Sequence, residues 1–214
     1  EIMDLFVVGE AEVTLPQLLK QMLDPETSVR SELLARISQQ AGIYQPAGYD
    51  VRYLGSGELK SMTPLEGLPE QVARQWQTNL DDSQSMTCVA TPDTEFGSMH
   101  LVEVSRGCPK ACRFCAAGFI YRPFREHSIE HLRKEILDTG DEVGRVGLVA
   151  AAVSDYDDIA AVGRSVLDQG GEVSVSSVRI DAITPEQVQV LADSGHKTLA
   201  LAPEAGSQRM RDVI

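Results

Sequence analysis

The amino-acid sequence predicts an α/β protein in which parallel strands alternate with helices. Three observations carry this expectation. From residue 99 onward, short apolar runs alternate with amphipathic stretches, and the last three strands recur about 25 residues apart. The helical stretches carry their own punctuation, with Ser128 and Thr184 at helix starts and Gly140, Gly170 and Gly195 just past helix ends. A strand and helix at this pitch return the chain to a parallel neighbour through a right-handed crossover. An open sheet and a partial barrel both satisfy the pattern.

Taken in order, Leu5-Phe6-Val7-Val8, ending at Gly9, suits a buried parallel strand. Thr14 is placed to cap a helix with Pro16 in its first turn, and Leu15, Leu18, Leu19, Met22 and Leu23 give it an apolar stripe. A second helix is predicted over 29–40, with Leu33, Leu34 and Ile37 as its stripe and Gly42 past its end. Residues 1–41 thus read as the end of an α/β unit. Residues 42–94 hold no long periodic stretch and read as a connector, with a strand over 50–54, a turn or two of helix over 71–76 and an exposed polar stretch over 81–85. Residues 95–214 carry the repeating units. Strands are predicted over 99–104, 145–153, 173–180 and 198–202, and helices over 129–139, 156–169, 184–195 and from Ser207. Thr184-Pro185-Glu186-Gln187 is a capping box with proline at the first helical position. An apolar strand begins almost at once and the last helix is cut after two turns, so the expectation is a piece of a longer protein.

The 214 residues are 43% hydrophobic and 24% charged, ordinary values for a globular protein. With 19 basic and 32 acidic residues the net charge is −13, which argues against a broad nucleic-acid-binding face. No apolar run approaches the ~20 residues that span a bilayer, and no basic and apolar leader opens the chain. The expectation is a cytoplasmic protein with no membrane partner, whose four cysteines are ligands or free thiols, not disulfides. Cys88 stands apart and reads as a free thiol.

The other three cysteines, Cys108, Cys112 and Cys115, form a C-x₃-C-x₂-C loop directly after an apolar run. They are one short of the four thiolates that fill an ordinary cubane cluster, which leaves one iron open to another ligand. In a parallel α/β barrel, functional groups gather at the C-terminal ends of strands. Polar residues fall at those ends here: Arg106-Gly107, Ser154-Asp155, then Ser174 and Ser176 with Arg179 and Asp181, and Glu204. Such a ring suits a zwitterionic cofactor carrying ribose and adenine. Helix caps and salt bridges are the competing explanation, with Ser154 and Asp155 capping the next helix.

The string Glu103-Val104-Ser105-Arg106-Gly107-Cys108-Pro109-Lys110-Ala111-Cys112-Arg113-Phe114-Cys115 resembles the cluster loop of the radical S-adenosylmethionine (radical SAM) superfamily. The resemblance implies that Cys108, Cys112 and Cys115 hold a [4Fe–4S] cluster whose fourth iron is chelated by the amino and carboxylate groups of S-adenosylmethionine (SAM). Reductive cleavage would yield methionine and a 5′-deoxyadenosyl radical that takes a hydrogen atom from a substrate the sequence does not name. Phe114 would lie beside the adenine. Arg179 is the candidate for the SAM carboxylate, Glu204 for the ribose or amino group, and Ser176 for a further cofactor contact. Where the superfamily often has Gly-Gly-Glu after the second strand, this chain has Val153-Ser154-Asp155-Tyr156, so Ser154 or Asp155 stands in. An electron donor such as flavodoxin or ferredoxin is implied.

Gly118-Phe119-Ile120-Tyr121-Arg122-Pro123 and Ala202-Pro203-Glu204-Ala205-Gly206-Ser207 resemble a radical SAM subgroup with an N-terminal cobalamin-binding domain, and residues 4–12 resemble that domain's last strand and turn. The implied fold is a partial parallel (βα) barrel of the radical SAM type, preceded by the C-terminal remnant of an α/β cobalamin-binding-like domain. Cobalamin is then a further implied cofactor and methyl transfer the favoured reaction, although the Asp-x-His-x-x-Gly loop of such domains is absent. A tRNA methylthiotransferase-like enzyme is the alternative, and needs a basic RNA-binding addition. A non-catalytic module is the third reading, its thiols holding structural zinc with His127 or His131 as fourth ligand. Otherwise these two histidines read as surface residues on the helix that Ser128 caps.

Overall fold

Residues 2–25, 29–138 and 143–214 are described by the computed structural model, and they divide into two units, Glu1–Thr78 and Asn79–Ile214. The division falls inside 42–94, so part of the stretch expected to connect belongs to each unit. No helix among the described residues is long and apolar enough to cross a membrane.

The first unit contains β1 (Phe6–Val7), α1 (Ala11–Met22), α2 (Arg30–Ile37), β2 (Ile43–Tyr44), β3 (Tyr49–Tyr53) and β4 (Leu59–Pro64). The expected buried parallel strand is not formed. β1 is antiparallel to β2, and Phe6 and Val7 are 47% and 39% exposed. Its neighbouring backbone groups are taken up locally: the Val8 amide donates to Gly42 O and the Gln75 amide to Val8 O. That second bond also removes the helical turn expected over 71–76, because Gln75 is drawn into a bridge with Gly9. α1 begins three residues ahead of Thr14, which is buried inside the helix, and Pro16 lies in its second turn. Glu10, at the N-cap position, sends its carboxylate to Arg74 and the Gln77 amide instead of capping. The single strand expected over 50–54 is one leg of an antiparallel hairpin, β3 with β4. Leu18, Ile37 and Ile43 form the small core of this unit.

The second unit carries the alternating pattern: β5 (Met99–Glu103), β6 (Ser105–Arg106), α3 (Ala117–Ile120), β7 (Arg125–Glu126), α4 (Ile129–Leu137), β8 (Arg145–Val149), α5 (Ile159–Leu167), β9 (Glu172–Val175), β10 (Val178–Arg179), α6 (Pro185–Asp193), β11 (Leu201–Ala202) and α7 (Gln208–Val213). β5, β8 and β9 form one parallel sheet in that order, and β10 and β11 form a separate parallel pair. The third predicted strand is therefore broken at Ser176-Ser177, and the strands make two sheets, not one continuous barrel wall. The middle of β8, Val146 to Leu148, is buried throughout, as a strand covered on both faces should be. Val102, Val146, Leu148 and Val173 of the sheet join Leu132, Ile136, Val162, Val166 and Val190 of the helices in one core.

The caps are local and follow the sequence. Ser128 Oγ accepts the His131 amide, the Thr184–Gln187 capping box is complete, and Ser207 Oγ accepts the Met210 amide. The helix expected from Tyr156 starts later, at Ile159, because residues Val153–Asp155 form a 3₁₀ turn. The expected end of α4 at Gly140 lies outside the described residues, as does the acidic pair at 141–142. The stretch 81–85, expected to be exposed, is exposed only at Asp82 and Gln84. Leu80 and Ser85 are buried, Asp81 Oδ1 accepts the Ser128 amide at 2.9 Å, and the Ser85 amide donates to Glu135. Asp81 and Ser85 thus serve the N-terminus and body of α4. His127 is likewise no surface residue, being only 2% exposed.

Candidate functional site

The three thiols sit on a loop whose base is fastened. β6 leads into it and β7 leads out, paired antiparallel through Ser105↔Glu126 and Arg106↔Arg125. Immediately after β6, Gly107 takes φ +87°, and a Cβ there would fall 2.5 Å from the Tyr121 carbonyl oxygen. Only glycine combines that left-handed backbone with so close an approach of the returning strand. Cys112 and Cys115 share a tight turn in which the Cys115 amide donates to Cys112 O at 3.1 Å. Cys108, Cys112 and Cys115 are all half-buried free thiols, while Cys88 is exposed.

These thiols open onto a cleft of about 510 Å³ at the C-terminal ends of the strands. Phe114, Ser154, Ser176, Arg179 and Glu204 line it, so five residues expected from the sequence to face a cofactor meet there with the cysteines. Asp155 does not line the cleft. Its carboxylate is 12% exposed and is held by Arg179 Nη1 at 3.1 Å and Lys110 Nζ at 3.3 Å, and it orients two cations that do line it. Neither Ser154 nor Asp155 caps α5: Ser154 Oγ accepts the Arg179 amide. Arg179 also donates through Nε to Asp181 Oδ1 at 3.1 Å, and its Nη2 pairs with the second Asp181 oxygen. Burial pulls the guanidinium down, but the bonds from Asp181 and the charges of Asp155, Asp181 and Cys112 outweigh it and push it up. The same bond holds the Asp181 carboxyl below its ordinary value. Glu204 sits at φ +64°, uncommon for a residue with a side chain and frequent at ligand-binding turns. Ser174, in contrast, does not line the cleft.

Residues that sequence reasoning passed over also line the wall: Lys110, Ser177 and Arg211. Lys110 lies between two of the cysteines, and that position was the available signal. Arg122 stacks over the Phe119 ring at 5.2 Å, and Arg125 is buried with its Nε bonded to Pro123 O, so Arg125 is structural in the loop and not an exposed charge.

The donor set fits an iron–sulfur cluster better than a single ion. A zinc ion at ~2.3 Å from each sulfur draws its thiolates tightly together, whereas each cysteine of a cubane holds a different iron. Among the described residues, the three-donor group found converging within 4.8 Å is Asp81, His127 and His131, not the thiols. His127 and His131 are thus engaged with Asp81 and do not complete a zinc site on the cysteines. The cleft volume lies within the range of small-molecule sites. Three cations (Lys110, Arg179, Arg211), the carboxylate of Glu204 and the hydroxyls of Ser154, Ser176 and Ser177 offer complements to a zwitterion with a sugar.

The profile of the Radical SAM superfamily matches residues 102–214, from within β5 onward. The chain is also 30% identical over 220 residues to the uncharacterized protein MJ0966 of Methanocaldococcus jannaschii, an alignment that covers 100% of this chain and 41% of the relative. The chain thus spans about two fifths of that relative's length.

Proposed function

Because the chain belongs to the radical SAM superfamily, we propose that it acts as a radical SAM enzyme, with its thiols holding a [4Fe–4S] cluster and its cleft holding SAM. When bound, cluster and SAM together supply one-electron cleavage of the SAM sulfonium and hence abstraction of a hydrogen atom from substrate. The observation that carries the reading is the meeting of three half-buried thiols with polar strand ends around one cleft. In this reading Cys108, Cys112 and Cys115 are the cluster ligands and Phe114 covers the adenine. Arg179 takes the SAM carboxylate and is held in place by Asp155 and Asp181. Glu204 and the serine hydroxyls take the amino and ribose groups.

The finer form of the proposal is methyl transfer linked to cobalamin. It rests on the sequence resemblance of residues 4–12, 118–123 and 202–207, and the antiparallel pairing of β1 gives it no further support. The test is anaerobic reconstitution with iron and sulfide, followed by dithionite and SAM, with 5′-deoxyadenosine as the readout. A colourless, zinc-loaded chain that leaves SAM intact would sink the proposal. A Cys112→Ala variant that still cleaves SAM would remove the ligand assignment.

A further inference from the structure

We propose that Asp81, His127 and His131 form a second metal site, separate from the thiols, for a divalent transition-metal cation such as Zn²⁺. The site lies where the cysteine loop ends. β7 delivers the chain directly into His127, Ser128 caps α4, and His131 occupies the first turn of that helix. Asp81 arrives from the 3₁₀ turn at 80–82. One donor atom from each of the three residues lies within 4.8 Å of the other two. The imidazoles are stacked, centroids 5.0 Å apart and planes 15° from parallel, and His127 Nδ1 is 3.3 Å from Asp81 Oδ1. Modest rotation brings such donors to the ~2.0–2.2 Å bonds that zinc makes to imidazole nitrogen and carboxylate oxygen.

An ordinary Asp–His hydrogen bond explains part of this arrangement but not all of it. It uses Nδ1 of His127 and leaves Nε2 of a side chain with no exposed surface lacking any hydrogen-bond partner. His131 Nε2 is also buried and unbonded: Glu135 Oε1 lies 3.3 Å away, but not in hydrogen-bonding geometry. A buried polar atom left unpaired costs about 1–3 kcal/mol, and two in one stacked pair call for an explanation. A cation that takes one nitrogen from each ring and an oxygen from Asp81 supplies it.

The protonation states agree. Burial, with the neighbouring His131, holds His127 below its ordinary value, the direction that favours the neutral ring a metal needs. Burial acts to raise Asp81, but the Ser128 hydrogen bonds offset it and the carboxyl lies below its ordinary value. The donor set of two imidazoles and a carboxylate matches borderline divalent metals and not Mg²⁺ or Ca²⁺. Its function is to staple the 80–85 segment to the root of the loop that carries the cysteines.

The experiment uses the 214-residue chain with Cys88, Cys108, Cys112 and Cys115 all changed to alanine, so that thiols cannot report. Titration with Co²⁺, then displacement by Zn²⁺, is expected to give one equivalent bound, with visible d–d bands and no thiolate charge-transfer absorption. Adding Asp81→Asn or His131→Gln is expected to weaken binding at least tenfold. Imidazole NMR of the parent background supplies a readout that needs no further variant: one equivalent of Zn²⁺ should shift His127 and His131 and leave His100 and His196 in place. Absence of saturable binding, binding unchanged by both substitutions, or shifts confined to His100 or His196 would each overturn the proposal. The outcome is independent of whether the chain cleaves SAM.

Discussion

Replacing Gly107 by alanine separates the geometry of the cysteine loop from its chemistry. The residue sits at φ +87°, and the added methyl would lie 2.5 Å from the Tyr121 carbonyl oxygen and 3.1 Å from that of Pro123. A left-handed backbone costs a residue with a side chain about 1–2 kcal/mol. Both clashing atoms are backbone, so the strand returning to β7 must move, which adds a further ~1–3 kcal/mol. Gly170 provides the control, because it has φ +77° but nothing within 4 Å of the added Cβ. Gly170→Ala should therefore carry only the conformational part, about 1–2 kcal/mol. Urea midpoints measure both. Iron and sulfide per chain after anaerobic reconstitution measure whether the loop still holds a cluster. The expected result is that Gly170→Ala loads like the parent chain while Gly107→Ala is less stable and loads poorly. Equal stability and equal loading of the two variants would refute the reasoning.

Arg179→Lys keeps the charge but loses the fork that spans Asp155 and Asp181, and SAM binding to the cluster-loaded chain should weaken at least tenfold by calorimetry, given ~1.5–3 kcal/mol for a charge-assisted bond. Tyr156 is 3% exposed and donates to His127 O at 3.0 Å, and burial pushes its phenol far above the ordinary range, so it remains a donor. Tyr156→Phe should cost about 1–3 kcal/mol in urea unfolding, because it leaves a buried carbonyl unpaired. Asp181 is held below its ordinary 3.8 by Arg179, so its contribution is present above that value and lost as the pH falls through the lower folded value. Asp181→Asn should thus be less stable than the parent at neutral pH by no more than about 0.5 kcal/mol, since the carboxylate is solvated. Midpoints measured at falling pH should converge below 3.8, and a gap that widens there would contradict the assignment.

Features encoded within a few residues were readable in the sequence. The Thr184–Gln187 capping box and the Ser128 cap formed as their spacing implied, because a cap needs only the next three residues. The alternation of strand and helix after residue 99 was visible for the same reason: each amphipathic period is internal to its element. The cysteine loop was likewise legible, since thiols three and four positions apart face one region whatever the remainder of the fold does.

What only the tertiary structure decided were partnerships between distant residues. β1 reads as a parallel strand by composition, yet its partners are Ile43 and Tyr44, and no local signal names them. Gln75 was drawn out of a helical reading by its bridge to Gly9. Asp155 reads as a cofactor contact or a helix cap and became a clamp on Arg179, 24 residues away. Asp81 and His127, 46 residues apart, read as exposed and are joined in the interior. Composition and spacing determined that three thiols, a ring of polar strand ends and a parallel α/β scaffold would be present. Folding decided which of those polar groups face the cleft and which face each other, because a carboxylate's role depends on the cation or donor that packing brings within about 3 Å of it.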